Sequence, residues 1–316
     1  MNKLPEKLRA AFACAALAAC LLWIGETAPA RAADLVPLKL IVMDPLAAPL
    51  SCPCVEGYAQ RDYQALAEHL QRSLGREVKL VFGESLKAAL KKTGGKADVI
   101  IGKHSVVRAD AKAAHVSVTP IGHLTDKSGS TKQHGLIVVN RNDPAKEVKD
   151  LAGYSIIFGP AEAVEKHSAA LTLLTRAGVE VPPERLRIDA ACSDGACKVI
   201  DLGPASKTAA VISSYAQPLL EGCGTIKKGD LRVVGKTAEV VFVTAFVADQ
   251  PTASNRRKIE DALQAIAAQT ELLDALESLV GFLPASQEEP ARSELDDAET
   301  PPTAETATSK KKTVGA

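Results

Sequence analysis

An alternation of short apolar strands and helices near the start of the chain constrains the fold more than any other feature. Leu38–Met43, Val78–Phe82 and Ala97–Gly102 are continuous or nearly continuous apolar runs, which predict buried strands. Two helix-forming segments, Asp62–Leu74 and Ser85–Lys92, lie between these runs. This β-α-β-α-β order predicts a parallel sheet with helices on both of its faces.

A second strand–helix unit lies in the stretch Asp150–Gly178. Ser155–Phe158 predicts a short buried strand, Gly159-Pro160 a loop, and Ala161–Arg176 a helix that Gly178 ends. In an open α/β sheet, the helix after such a loop presents free N–H groups at the carboxyl end of the strand, where ligands bind. We therefore expect a ligand site beside this loop.

The segments DLAGYSIIFG and LLTRAGVEVPPERL, in and directly after this stretch, resemble the second lobe of periplasmic solute-binding proteins of the phosphate/phosphite/phosphonate type. The resemblance extends over roughly Leu38–Leu283. It implies the type II periplasmic-binding fold, an α/β architecture of two lobes, each a mostly parallel sheet flanked by helices, with two hinge crossovers. Lobe 1 would comprise residues 33–141 and 236–285, and lobe 2 residues 142–235. Proteins of this family feed ABC importers, and their lobes close around a ligand.

The first 32 residues are organised as a signal peptide. Lys3, Lys7 and Arg9 form a basic start, Ala10–Ile24 is apolar, and Ala30-Arg31-Ala32 provides a cleavage site. This pattern predicts a signal peptide over residues 1–32 and a periplasmic or secreted protein. In a rival interpretation, the residues that end at Cys20 form a lipobox and the protein is lipid-anchored through that cysteine.

Charge and composition narrow the function classes. The 38 basic and 38 acidic residues balance, and no basic run carries interleaved aromatic residues, so we predict no nucleic-acid partner. The sequence contains no GxSxG, HExxH, GxxxxGK or GxGxxG motif, so we predict neither an enzyme nor a cofactor. Residues 286–316 have no apolar periodicity and are rich in Glu, Ala, Thr and Pro, which predicts a disordered tail.

Several candidate ligand contacts follow from their positions at strand ends in the resembled fold. Asp44 follows the first strand, and His104 and Ser105 follow the strand Ala97–Gly102. In the second lobe, the resemblance places Ser213 and Tyr215 at the end of the run that begins at Ala209. We expect these five side chains to face the cleft.

The loop from Gly159 to Glu165 departs from the resembled family. Phosphonate-binding members usually place Ser or Thr hydroxyls at the start of the following helix, whereas this loop has none. Glu162 and Glu165 suit the positive end of a helix dipole, but they would repel a dianion and put a phosphonate ligand in doubt. Glu162 is a candidate ligand contact, and the interpretation that we favour is that both acids are solvated residues at the helix start.

Cysteines offer a second hypothesis. Cys192 and Ser193 begin a predicted second-lobe helix near the cleft and are candidate ligand contacts. In an exported protein we favour one or two disulfides that staple surface loops. The alternative is a periplasmic metal- or redox-handling accessory protein in which Cys52, Cys54 and Cys192 bind a soft metal ion.

These observations predict an exported solute-binding protein that captures a small molecule or ion, with oxyanions among the candidates, between two lobes. Its partner would be an ABC transporter permease or a membrane sensor. We expect a monomer.

Overall fold

Two mixed β-sheets, each covered by helices, form the two lobes of the protein. The computed structural model describes residues 36–51, 59–189, 191–248 and 252–285, without the side chain of Cys192. The predicted signal peptide and tail, and Cys52 and Cys54, lie outside the described residues. The strands in chain order are β1 (Leu38–Met43), β2 (Val78–Phe82), β3 (Val99–Lys103), β4 (Val118–Leu124), β5 (Lys132–Gln133), β6 (Gly135–Asn140), β7 (Ser155–Phe158), β8 (Leu186–Ile188), β9 (Thr208–Ser213), β10 (Leu231–Lys236), β11 (Val240–Val241), β12 (Val243–Ala248) and β13 (Phe282–Pro284).

Eight α-helices are present in the described residues, and local capping explains where several of them begin and end. The side chain of Asp62 accepts hydrogen bonds from the backbone N–H groups of Gln64 and Ala65, and Gly75 ends the same helix in a left-handed conformation with φ 64°. The helices are α1 (Tyr63–Leu74), α2 (Leu86–Lys92), α3 (His104–Ala113), α4 (Ser168–Arg176), α5 (Cys192–Leu202), α6 (Ala216–Gly222), α7 (Ala253–Gln264) and α8 (Thr270–Ala275). Within the described residues, no helix has the combination of length and apolar character that crossing a membrane requires.

The strand order shows how the two sheets are built. The first sheet has the order β13-β4-β12-β3-β1-β2 and the second the order β10-β6-β9-β7-β8. β1 pairs in parallel with β2 and β3, and β7 pairs in parallel with β8 and β9, whereas the other pairings within these two sheets are antiparallel. Both sheets are therefore mixed rather than mostly parallel. The reason is that β6 enters the second sheet, and β12 the first sheet, directly from the other lobe. Neither has the crossover helix that parallel pairing needs.

Two crossings connect the lobes, one between β4 and β6 and one between β10 and β12. A short antiparallel pair, β5 with β11, joins the crossings side by side. The strand Gly135–Asn140, placed in lobe 1 from the sequence, pairs with β9 and β10 of the second sheet, so the first crossing precedes residue 135. The apolar run Val240–Val247 is divided at Phe242, because its first part belongs to the crossing pair.

Each sheet has an apolar core on both faces. Along β1, Leu40 and Val42 pack on one face, whereas Ile41 and Met43 pack on the other. In the second lobe, Ile156 and Ile157 divide in the same way between two clusters. This alternation fixes which face each strand presents to which helices. It leaves the polar residues at the carboxyl ends of β3 and β9 to face the junction between the lobes.

Candidate ligand site between the lobes

A buried ion pair joins the two lobes, and its lysine is at the carboxyl end of a first-lobe strand. Lys103 is the last residue of β3, and its Nζ donates a hydrogen bond to Oε1 of Glu165. Ser213, the last residue of β9, donates from its Oγ to the same oxygen at 2.7 Å. Glu165 and Ser213 are 0% exposed and Lys103 is 6% exposed. The first lobe thus supplies a cation, and the second lobe a carboxylate and a hydroxyl, to one centre shut off from solvent.

Electrostatics keep Glu165 ionised in this centre. Burial by itself raises the pKa of Glu165, but the charge and hydrogen bond of Lys103, the hydrogen bond from Ser213 and the charge of Lys166 lower it, and the result lies below the ordinary value. The second carboxylate oxygen, Oε2, is also buried and has no hydrogen-bond partner among the described residues. The carboxylate is therefore strongly held through one oxygen and incompletely satisfied at the other.

Two glycines make room for the segment that carries Glu165. A Cβ atom at Gly135 would lie 2.1 Å from the carbonyl oxygen of Glu165, and one at Gly159 would lie 2.5 Å from Cε of Lys166. Both distances are far too short for real contacts, so any larger residue would force the segment away. The N–H group of Gly159 also donates to the carbonyl oxygen of Lys166 at 3.1 Å, which closes the loop.

Ser105 and His104 stand beside the buried ion pair. The Oγ of Ser105 accepts a hydrogen bond from the N–H group of Val164 at 3.4 Å, which is a further contact between the lobes. Nδ1 of His104 lies 3.0 Å from Oγ1 of Thr244, and Nδ1 of His123 lies 2.8 Å from the same hydroxyl. Burial, followed by the charges of His123 and Arg108, lowers the pKa of His104 to about 4, so this imidazole is neutral near pH 7.

Asp44 forms a second buried ion pair, within the first lobe. Its Oδ2 accepts hydrogen bonds from Nη1 of Arg61 at 2.8 Å and from the hydroxyl of Tyr63 at 2.6 Å. Its Oδ1 accepts from the N–H group of Leu46 at 3.0 Å. Burial raises the pKa of Tyr63 well above its usual value, and the adjacent Asp44 raises it further. Asp44 thus has both oxygens occupied inside its own lobe.

A cavity of about 410 Å³ opens beside Arg61 of the Asp44 ion pair. Its wall comes from the first lobe, from the second lobe and from both crossings. The rings of Tyr215 and Phe242 stack with centroids 4.9 Å apart, and the guanidinium carbon of Arg61 lies 5.3 Å from the centroid of the Phe242 ring. Residues that line the cavity include Leu46, Arg61, Gln133, Tyr215, Leu219 and Phe242.

The comparison with protein families identifies this architecture. Residues 57–289 match the family model described as "ABC transporter, phosphonate, periplasmic substrate-binding protein". The chain belongs to this family. The predicted role as a solute-binding protein is therefore confirmed, as is the resemblance to phosphonate-type binding proteins. A search of curated proteins found no match.

Several solved structures share this fold. XAC2383 from Xanthomonas citri bound to ATP has 16% identity and a TM-score of 0.58, with 80% of this chain and 91% of that chain covered. A binding protein component of an ABC phosphonate transporter (PA3383) from Pseudomonas aeruginosa has 13% identity and a TM-score of 0.60, with coverage of 80% and 82%. PhnD1 from Prochlorococcus marinus in complex with methylphosphonate has 16% identity and a TM-score of 0.54, with coverage of 78% and 92%. At these identities the likeness shows the fold, and it confirms the predicted two-lobed architecture.

The loop between β7 and α4 differs from the prediction for this member of the family. Ala161–Arg176 is not one helix, because a turn and a 3₁₀ segment, Val164–Lys166, precede α4. The interpretation of Glu165 as a solvated residue at a helix start is wrong, since the loop folds inward and buries it. Glu162 is half-buried in the same loop.

The structure brings together only some of the predicted site residues. Ser213 and Ser105 lie at the inter-lobe ion pair with His104 beside them, and Tyr215 lines the cavity. Asp44 is held by its own lobe, and Ser193 lies in the first turn of α5, with its Oγ 3.5 Å from Oδ1 of Asp194. The sequence did not indicate Lys103, Arg61 or Phe242 as contacts, and it favoured a solvated position for Glu165. Lys103 carries the clearest signal in retrospect, because it is a charged residue directly after the apolar run VIIG.

The cysteine predictions remain open. Cys52, Cys54 and the side chain of Cys192 lie outside the described residues. Cys197 and Cys223 are partly buried, and Sγ of Cys223 lies 3.2 Å from Oγ1 of Thr225. Across the described ranges, no group of three or more His, Cys, Asp or Glu side chains has the placement of a metal site.

Proposed function

We propose that the protein captures a small organic solute in the cavity beside the Tyr215–Phe242 ring stack and presents it to the permease of an ABC importer. The observation that carries this proposal is the origin of the cavity wall, which includes residues of both lobes and both crossings. A solute there would contact both lobes at once. Such a solute stabilises the closed arrangement relative to the open one, and this difference is what a permease can recognise.

The cavity lining indicates the chemistry of the solute. Leu46, Leu219 and the stacked rings offer an apolar surface, and Arg61, whose charge is paired with Asp44, lies beside them. Gln133 is buried in the same wall, and its Oε1 has no hydrogen-bond partner among the described residues. A solute with an apolar or flat part and a hydrogen-bond donor would satisfy these groups. The volume of about 410 Å³ is in the usual range for small-molecule sites.

We also propose where the protein acts, its oligomeric state and the bounds of its lobes. It would act as an exported monomer, through a signal peptide over residues 1–32, and it would bind its solute without transforming it. Lobe 1 would comprise residues 33–134 and 237–285, and lobe 2 residues 135–236. Besides Tyr215 and Phe242, we propose Ser105 and Ser213 as residues that support the site at the inter-lobe junction.

The first test is to find the solute and measure closure. Native mass spectrometry of the protein purified from its host compartment should show a retained small molecule. X-ray scattering should then show compaction when that molecule is added to the emptied protein. The panel includes methylphosphonate and ATP, which are bound in the structural relatives, together with amino acids and sulfonates. The absence of both a retained molecule and compaction with every compound would refute the proposal.

Variants locate the binding site. Tyr215→Ala and Phe242→Ala each remove one ring of the stack and should weaken binding by about tenfold or more, because a buried aromatic contact contributes on the order of 1–2 kcal/mol. Lys198→Ala is the matched control, since Lys198 is exposed on α5 and does not line the cavity. Equal affinity of all three variants would place the solute elsewhere.

A further inference from the structure

The groups that could hold a free anion at the lobe junction are already engaged. Lys103 is a buried cation and Ser213 a buried hydroxyl, and they come from the ends of strands in different lobes. Both donate to the same oxygen of Glu165. Lys166 is buried as well, and its charge acts on the same carboxylate. A cation and a hydroxyl that converge from two lobes are what an oxyanion would require for binding, and here the chain supplies the anion itself.

We propose that Glu165 is a specificity-determining residue: its carboxylate takes the place of the anionic group of a ligand, and it thereby excludes free oxyanions from the junction between the lobes. The consequence for ligand choice rests on the proposed function. The occupation of the junction by the Glu165 carboxylate does not depend on it. A solute of this protein would then bind through the cavity and not through a phosphonate-like group beside Lys103.

The local structure supports a dedicated position for this carboxylate. The carbonyl oxygen of Glu165 packs on the Cα of Gly135, and the side chain of Lys166 packs on that of Gly159, so two glycines admit the segment. Competing anions would have to displace a group that is attached to the chain, or bind next to it and be repelled at short range. The donors Lys103 and Ser213 both reach Oε1, whereas the buried Oε2 has no partner among the described residues.

Removal of the carboxylate should therefore uncover an anion site. In Glu165→Ala, the ammonium of Lys103 and the hydroxyl of Ser213 would face the space that the side chain has left. We expect acetate, phosphate and methylphosphonate to raise the melting temperature of this variant and to bind at least about tenfold more tightly than to the wild-type protein, measured by calorimetry. The full-length exported chain is used throughout.

Three matched variants test the assignment. Glu162→Ala removes a half-buried acid from the same loop and should gain no anion binding. Glu165→Gln removes the charge but keeps the volume, so it should gain much less than Glu165→Ala. The double variant Glu165→Ala/Lys103→Met should lose the gain, because its cation is absent.

Two binding results would overturn the proposal. The first is a folded Glu165→Ala variant, judged by circular dichroism, that binds these anions no better than the wild-type protein. The second is binding of methylphosphonate to the wild-type protein that Lys103→Met abolishes, a measurement that is decisive even where the alanine variant does not fold. These titrations use only simple anions, so they can succeed although no organic solute is found, and the search for the solute can succeed although they fail.

Discussion

Two buried ion pairs lie at the ends of first-lobe strands, and they differ in what they connect. Asp44 and Arg61 belong to one lobe and are 17 residues apart in the sequence. Lys103 and Glu165 belong to different lobes and are 62 residues apart. The first pair forms whenever its lobe folds, whereas the second forms only when both lobes are folded and in contact. The first ion pair thus stabilises one lobe, and the second stabilises the contact between the two lobes.

The two carboxylates also differ in their hydrogen bonds. Both oxygens of Asp44 accept bonds from its own lobe, as expected for a group whose task is structural. Glu165 has one oxygen with two donors and one without a partner in the described residues. A buried polar atom without a partner calls for an explanation, and a functional role is one explanation. The comparison indicates that the inter-lobe pair was not optimised for stability alone.

The largest effect is expected from Asp44→Asn. This change leaves the buried guanidinium of Arg61 without a counter-charge, and Arg61 cannot lose its proton, so we expect a loss of about 3–5 kcal/mol of unfolding free energy. Urea denaturation followed by circular dichroism measures this loss. Tyr63→Phe, which removes one hydrogen bond to the same carboxylate but leaves the ion pair, is the control and should lose less, about 1.5–3 kcal/mol. A loss below that of Tyr63→Phe would contradict the structural role of Asp44.

Lys103→Met should have a smaller effect, of about 2–3 kcal/mol at pH 7.5. The reason is that Glu165 can neutralise itself by taking up a proton when its partner is absent. Without Lys103, burial will raise the pKa of Glu165 above its unfolded value, so the folded state gains stability relative to the unfolded state as the pH falls.

The pH dependence separates the two ion pairs. The deficit of Lys103→Met should shrink between pH 7.5 and pH 5, whereas that of Asp44→Asn should not. Urea denaturation of both variants at the two pH values makes the comparison. A constant deficit for Lys103→Met would show that Glu165 is not the group left unpaired.

Acid should destabilise the wild-type protein first through His104. The pKa of His104 is lowered to about 4 from an ordinary value of 6.5, so the unfolded state binds a proton at a higher pH than the folded state. Stability that is full above about pH 6.5 is then lost as the pH falls towards 4, by about 2 kcal/mol at pH 5. The pKa of Glu165 is lowered too, so its contribution is lost only at still lower pH.

His104→Asn tests this assignment. The amide can replace the contact of Nδ1 with Thr244, and it does not titrate. The loss of stability between pH 7 and pH 5 should therefore be smaller in the variant by about 2 kcal/mol. An unchanged pH profile would assign the acid sensitivity to a group other than His104.

The smallest effect is expected at an exposed pair. Lys198 and Asp189 lie 2.7 Å apart, with 52% of the lysine side chain exposed. Lys198→Ala should change the unfolding free energy by less than about 1 kcal/mol, since water and salt screen such pairs. Thermal or urea denaturation at low and high salt measures it. A loss as large as that of Lys103→Met would mean that burial is not what separates these pairs.

Much of the fold could be predicted from the sequence because its signals are local. Val78–Phe82 and Ser155–Phe158 are apolar runs bounded by turn residues, and both strands have the predicted bounds. The two-lobed architecture followed from family resemblance and is confirmed. The lobe that Gly135–Asn140 joins has no local signal, because the pairing of this strand depends on β9 and β10, which lie about 70 to 100 residues further along the chain.

The site was harder to predict, because its contacts are distant in the sequence. Glu165 lies near a predicted helix start, where acids are usually solvated, and only the space at Gly135 allows it to turn inward. Asp44 has the position of a ligand contact, but Arg61 and Tyr63 satisfy it from a loop and a helix that follow. In both cases the outcome depends on which partner the folded chain brings close.

The glycines at positions 135 and 159 have a consequence beyond packing. They admit the segment that holds the carboxylate of Glu165 beside Lys103, so in the closed protein its effective concentration there is set by the chain and not by the surroundings. The contact between the two lobes at this point is therefore encoded in the sequence. It would persist unchanged whether the surroundings are rich in inorganic phosphate or starved of it.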